Sequence, residues 1–432
     1  MDSSRLPIEV ELVFEVMPCN ALRTAQDAGP PHPCTYFRSS GRYHSYDYQL
    51  EGPPPSPKIE QPIDYLGRAT LVPEILTGCR KAPVLAVGIN PNLPGWWPAR
   101  HRWLNPVFDD YRQYAHYFRY RAKDKIELTP EDDRAYGRLG TSDPFSPVEL
   151  NVPVDATGQR EIHGRLQSQS MYLAYQGLLD DLSKRMGWPE STLEVGEDLA
   201  YGNMVACPSA RWTTVADPKD PALPPMTVAG RDGIVTECFH KRRYFLRQLF
   251  QSLPPVIIIL SQATANAFNA ELESRFIAGA PKADEPLEQL GAREVRLLYG
   301  DLPDGSSLEA RVIYSPHATG DARHFAAARA RVVDQLVDEA RRGNLIRNPA
   351  TGHLGRGRGA CVFCPMLEIG PCDYAAELVP MTPVAQLTAD SPVQELQAEK
   401  GAQEALLSRV SLPVVGSAWG SSDEMEGGFR DG

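Results

Sequence analysis

Four short apolar runs, each stopping at a turn, set most of what this chain can fold into. They are Val84-Leu85-Ala86-Val87-Gly88, residues 199–206, Val256-Ile257-Ile258-Ile259-Leu260 and residues 311–314. Short runs that are apolar without polar alternation suit strands buried on both faces, as in a parallel sheet. Helical spacing is found at residues 168–186, 236–251, 261–275 and 323–341. The alternation predicts an α/β fold of three layers, α/β/α, around a central, mostly parallel four-stranded sheet.

The rest of the 432 residues is arranged about that core. Residues 1–75 form an N-terminal extension rich in Pro, Gly and Tyr, with a strand-like run from Val10 to Val16 and a linker-like Gly52-Pro53-Pro54-Pro55-Ser56-Pro57. The core spans 76–345 and contains a large insertion at about 95–195, longer than one crossover needs. A Cys-rich loop expected to bind metal follows at 346–380, and 381–432 is a tail that reads as disordered toward its acidic end. The longest aliphatic run, Val256 to Leu260, is far too short for a bilayer, and Met1-Asp2-Ser3-Ser4-Arg5 lacks the apolar stretch of a secretory signal. A cytoplasmic monomer with reduced cysteines and no membrane partner is therefore expected.

Net charge is −11, which argues against nucleic acid until its distribution is considered. Residues 321–358 hold eight arginines against four acids, and residues 96–125 hold seven Lys/Arg against three acids, interleaved with nine aromatics. A local basic face can bind DNA on an acidic chain, because counterion release depends on the patch. In the second run Tyr111, Tyr114, Tyr117 and Phe118 recur at helical spacing among Arg112, Arg119 and Arg121. The plain reading is an amphipathic helix packed on the core. The functional one is a lid that stacks on bases and meets phosphates.

Two of the strand ends carry chemistry. The first runs into Gly88-Ile89-Asn90-Pro91, and the last into Ser315-Pro316-His317-Ala318-Thr319-Gly320. Ligands of open α/β sheets bind at the carboxyl ends of the strands, so Asn90 and His317 are placed to share one pocket. An uncharged residue that positions water, opposite a hydrogen-bond donor, is what hydrolysis of an N-glycosidic bond requires. Each residue alone has a plainer role: Asn-Pro is a common turn, a strand holds a satisfied Asn203, and Arg323 at a helix start is exposed.

Taken in order, Gly88-Ile89-Asn90-Pro91, the strand around Asn203 ending in Cys207-Pro208-Ser209-Ala210-Arg211, Glu237-Cys238, Leu260-Ser261-Gln262-Ala263, and His317 six residues before Arg323 resemble the uracil-DNA glycosylase superfamily. The first motif is like that of the mismatch-specific and thymine-DNA glycosylase branch, and the later ones are like those of the iron–sulfur branch. Ser261 stands where the family has Gly, and Ala318-Thr319 replace Pro-Ser. The resemblance covers roughly residues 80–342. It implies a monofunctional DNA glycosylase that flips uracil or a modified pyrimidine out of the duplex and leaves an abasic site. Asn90 would hold the water, and His317 would stabilise the charge gathering on the base. Gly88, Ile89, Asn203, Trp96 and Trp97 would contact the base, while Ser209, Arg211, Ser315, Thr319 and Arg323 would contact DNA. No lysine lies in these motifs to form a Schiff base, so water is the nucleophile.

Cys361-Val362-Phe363-Cys364 and then Cys372 give a C-x2-C-x7-C cluster, and the resemblance adds Cys238 as the fourth ligand. The expected cofactor is a 4Fe–4S cluster, with structural zinc as the alternative. Cys19, Cys34 and Cys79 show no metal spacing, and Cys207 is not among the expected ligands. Two other functions stay open: excision of bulky modified cytosines from phage DNA in antiviral defence, which the insertion and the Trp96-Trp97 pair would accommodate, and non-catalytic DNA binding on a metal-containing scaffold.

Overall fold

A computed structural model describes residues 8–16, 19, 32–35, 49–51, 58–60, 73–91, 96–97, 102–103, 111–122, 125–128, 160–163, 166–189, 192–207, 212, 227–282, 284–301, 306–355, 361, 363–367 and 369. The central sheet has seven strands: β1 (Leu76–Thr77), β2 (Val84–Gly88), β3 (Leu199–Asn203), β4 (Val256–Leu260), β5 (Phe276–Ala278), β6 (Val295–Asp301) and β7 (Ser307–Ser315). Their spatial order is β5-β6-β7-β4-β2-β3-β1. The four central strands β7, β4, β2 and β3 pair in parallel and coincide with the four apolar runs. The sheet is larger than four strands because β6 and β5 add antiparallel strands at one edge and β1 adds one at the other. The added strands are less apolar or shorter than the central four: β6 alternates buried and half-buried residues along Val295-Arg296-Leu297-Leu298, and β1 is only two residues long.

The helices are α1 (Ile8–Val16), α2 (Tyr111–Tyr120), α3 (Leu166–Met186), α4 (Val228–Val235), α5 (Tyr244–Ser252), α6 (Gln262–Glu271), α7 (Leu287–Gly291), α8 (Ala322–Arg341) and α9 (Phe363–Met366). One face of the sheet, with Leu85, Val87, Ile257 and Ile259, buries itself among residues of α1, α2, α5 and α6. The other, with Val84, Ala86, Ile258 and Ile313, packs on α3 and α8. Alternate side chains of each strand thus serve two separate cores, which is the three-layer arrangement.

Two expectations are corrected. Val10–Val16 lies in α1, not in a strand: Glu9, Val10, Leu12, Val13 and Val16 are buried, a helical spacing that docking against α5 selects over the β-propensity of three valines. The helix read over 236–251 is broken. A π-helical turn covers Thr236–Arg242, and Arg243, at φ 57, turns the chain into α5. Of the arginines read as a phosphate-binding lid, Arg119 and Arg121 face inward. Arg119 is buried and donates to Glu197 at 2.8 Å, and Arg121, just past the helix, is buried and donates to Glu74 and to the Tyr172 hydroxyl, each at 2.6 Å. Tyr114 and Phe118 pack into the core beside them, so α2 is a packing helix. Among the described residues no helix is long and apolar enough to cross a membrane.

Candidate functional site

The register of the parallel strands builds the site. Leu260 lies opposite Ser315, Ile259 opposite Val87, and Gly88 opposite Asn203. The last row across the carboxyl edge therefore runs Ser315, Leu260, Gly88, Asn203, all facing the α3–α8 side. Asn90 leaves β2 two residues beyond this row, and His317 leaves β7 likewise. Their strands are separated by β4 alone, so the two turns start about 10 Å apart, two interstrand spacings.

Asn203 is the unusual member of the row. Its side chain is 1% exposed, and neither Oδ1 nor Nδ2 has a hydrogen-bond partner. Burying an amide with donor and acceptor both unmet costs about 1–3 kcal/mol for each group, so the residue works against stability. Below it on the same face, Tyr201 stacks on Tyr175 with ring centroids 6.0 Å apart. The Tyr201 hydroxyl leans over Gly88, where a Cβ would lie 2.1 Å from that oxygen. Only glycine fits there, which explains Gly88 by packing as well as by access.

Asn90 is nearly buried, and its Nδ2 donates to the Pro91 carbonyl at 2.9 Å. That bond fixes the amide plane and settles which end of it is the acceptor. Ile89 is half-buried, and its carbonyl accepts from the Val205 amide at 2.8 Å, tying the Asn90 turn to the end of β3. His317 is half-buried in the tight turn before α8. Its Nδ1 accepts the amides of Thr319 at 3.2 Å and Gly320 at 3.0 Å. A nitrogen accepting two N–H groups carries no proton, so the ring's proton sits on Nε2. Burial also lowers the His317 pKa below the usual imidazole range, which keeps the ring neutral. The site thus presents a neutral Nε2–H donor and an oriented amide acceptor at its two ends, with an unsatisfied amide along one wall.

Ser261, between the two turns, has φ 80 and ψ 154, a conformation that only glycine adopts without strain. Its hydroxyl caps α6, accepting from the Thr264 amide, and its own amide donates to the Ser315 carbonyl at 3.0 Å. Its backbone therefore has the geometry usual for glycine.

The other expected site residues are distributed unevenly. Ser315 is wholly buried and donates to the Pro316 carbonyl at 3.1 Å, so it shapes the turn and does not reach a DNA backbone. Thr319 is half-buried beside His317, and Arg323 is exposed in the first turn of α8. Trp96 and Trp97 form a two-stranded ribbon with Arg102–Trp103. Ser209, Arg211 and Cys372 lie outside the described residues.

The cysteines fall into two groups, and the expected ligand set is divided between them. Cys238 is together with Cys19, Cys34 and Cys207: all four are buried, and every pair among them is close enough for one thiolate to disfavour another. Burial first, and this mutual repulsion second, raise the Cys34 and Cys207 pKa values. Burial pushes Cys238 up to about 12, against the Ala206 amide, which donates to its sulfur at 3.4 Å. Cys361 and Cys364 are instead neighbours of Cys79 and Arg80. Cys19 and Cys34 could not be grouped from spacing, because α1 and the Pro33–Thr35 turn deliver them to the core only after folding. As they stand, no three His, Cys, Asp or Glu side chains among the described residues are arranged to hold a metal ion. The donor chemistry of the first group suits a cluster: four buried thiols, one of them already accepting an amide N–H. No protein-family model and no curated protein matches this chain.

Proposed function

We propose that this protein is a monofunctional DNA glycosylase that hydrolyses the N-glycosidic bond of a flipped-out pyrimidine. The observation that carries the reading is the unsatisfied, buried amide of Asn203, which sits beside Gly88 on the flank of the turn that presents Asn90, with His317 two strands further along the same edge. A pyrimidine edge offers a carbonyl and an N–H in line, which is what an amide with both valences open would pair. His317 donates its Nε2 proton in a hydrogen bond to the base oxygen that gathers negative charge as the bond to C1′ loosens, worth about 2–4 kcal/mol by comparison with oxyanion donors. Asn90 accepts a hydrogen bond from the attacking water and aligns it below C1′. An amide removes no proton at neutral pH, so its part is positioning. Water then forms the new C–O bond, the bonding pair leaves with the base, and the excess proton goes to solvent.

The cofactor proposed with this reading is a 4Fe–4S cluster, held by Cys19, Cys34, Cys207 and Cys238. Its contribution is structural, tying the N-terminal extension and the π-helical turn to the end of β3.

The test is abasic-site formation on a uracil-containing duplex under single turnover. Loss of base release in Asn90→Ala and His317→Ala by a factor of roughly 10² or more, with DNA affinity unchanged, supports the enzyme. Variants that release base at the wild-type rate overturn the assignment of these residues. A covalent adduct trapped by borohydride overturns hydrolysis by water.

A further inference from the structure

Resting on the glycosylase reading for the identity of the ligand as a nucleobase, we infer that the pocket is not committed to one pyrimidine edge: the Asn203 amide and the Tyr175 hydroxyl read uracil and cytosine alike.

Two buried side chains on the α3–α8 side of the sheet have unmet hydrogen-bonding groups. Asn203 is one, with both Oδ1 and Nδ2 open. Tyr175 on α3 is the other: it is 1% exposed, and its hydroxyl has no partner. Tyr201 joins them, since it precedes Asn203 by two residues on the same face of β3 and its ring stacks on that of Tyr175 at 6.0 Å. One turn earlier on α3, Tyr172 shows the ordinary case of a satisfied hydroxyl. It accepts from Arg121 Nε at 2.6 Å, and Arg121 is paired with Glu74 at 2.6 Å. That ion pair is internally neutral, so the open groups call for a neutral polar ligand rather than an ion. Unmet groups are costly to bury, and two such residues flanking one tyrosine mark a single ligand-facing wall.

What such a wall distinguishes depends on whether its amide is held. Uracil presents an N3–H donor beside the O4 acceptor, whereas cytosine presents N3 as an acceptor beside its N4 amino donor. An amide matches one order or the other according to which way it is turned. A held amide rejects the wrong base by a factor of about 10⁴–10⁵, because buried groups are left unpaired. Asn90 is an amide of that kind, its Nδ2 bonded to the Pro91 carbonyl at 2.9 Å. Asn203 has no such bond, so turning its amide over breaks nothing. The Tyr175 hydroxyl donates or accepts by rotation about its C–O bond, and so serves a second lone pair of O4 or a second hydrogen of the N4 amino group.

Depth does not separate the two bases either. The Tyr201 hydroxyl covers Gly88, where a Cβ would lie 2.1 Å from it, and uracil and cytosine have rings of one size to set against that floor. Selection therefore moves from the pocket to the duplex. Flipping is least costly for a mismatched, damaged or single-stranded base, and that cost sets which pyrimidine is presented.

The test compares single-turnover release of uracil and of cytosine by the full-length chain. Each base is placed at one position of a single-stranded oligonucleotide otherwise free of both, where no pairing has to be broken. Rates within a factor of about 10² of each other are expected, and a wider separation in either direction overturns the inference. Tyr175→Phe is expected to slow release of both bases by about tenfold and to raise the denaturant midpoint, because it removes an unmet buried hydroxyl. Unchanged release of both bases in that variant overturns the part given to Tyr175. Should the wild-type chain release neither base, the glycosylase reading falls, and calorimetric titration with free uracil and free cytosine carries the test. Comparable affinities then support a pocket that reads both edges, and binding of one base alone, or of neither, overturns it. Rapid release of uracil with cytosine left in place has the opposite meaning: the glycosylase reading stands and this inference falls.

Discussion

At the scale of single residues, Asn203 separates function from stability most sharply. Its amide is buried with no partner, so Asn203→Leu, close in volume and free of polar atoms, is expected to stabilise the fold by about 1–3 kcal/mol while base release collapses. Denaturant unfolding checks the first part, and a loss of stability would show that the amide is satisfied in solution. Gly88 makes a complementary case. In Gly88→Ala the new methyl meets the Tyr201 hydroxyl, and a cost of about 1–3 kcal/mol is expected, partly recovered in Gly88→Ala/Tyr201→Phe, which removes the obstructing oxygen. Additive effects of the two changes would contradict that contact.

His317 carries the pH prediction. Its folded pKa is depressed by burial, so between that value and the unfolded value near 6.5 the unfolded chain binds more protons. Stability from this group is therefore complete above pH about 6.5 and is lost as pH falls toward the folded pKa. Base release should follow the same direction. Protonation puts a hydrogen on Nδ1 that faces the amides of Thr319 and Gly320, and breaks the turn that aims Nε2. A rate flat at neutral pH with an acid limb below 6.5, absent in His317→Asn, is the expected profile. A limb rising toward acid would mean that imidazolium is the active form.

At the scale of elements, the sequence was legible where a strand is buried on both faces and opaque where tertiary contacts decide. The runs at 84–88 and 256–260 needed no context, because an all-apolar stretch of five residues has no solvated face to show. The segment Val10–Val16 misled because Glu11 and Glu15 alternate with valines as they would in a strand, whereas docking beside α5 selects the helix. Both turns of the candidate site were visible from their Gly and Pro residues. The role of Ser315 was not, since whether a hydroxyl faces solvent or its own turn depends on packing. Ser261 tests how far a strained backbone can be read from sequence alone. At φ 80 the Ser261→Gly change relieves strain of about 1–3 kcal/mol and forfeits a cap worth about 1 kcal/mol, leaving a net gain of about 1 kcal/mol. A clear destabilisation in denaturant would show that the cap outweighs the strain.

At the scale of the whole molecule, the seven-stranded sheet gathers segments from distant parts of the chain at its carboxyl edge, and the cysteines do the same behind it. The C-x2-C-x7-C spacing was plain in the sequence, yet its spatial companions were not. Cys79 comes from the turn after β1, and Cys238 goes instead to a group that includes Cys19 and Cys34. Spacing reveals cysteines that share a loop and hides those that only the fold brings together.

The most direct test of the glycosylase reading is to identify what the protein releases. Purified full-length chain is incubated with duplexes containing uracil and with phage DNA containing bulky modified cytosines, and the soluble products are identified by mass spectrometry. The account predicts a free pyrimidine base and an abasic site in the strand, both abolished in Asn90→Ala and His317→Ala. Tight DNA binding by the wild-type chain with no base released from any of these substrates would contradict it, leaving a DNA-binding protein built on the same sheet.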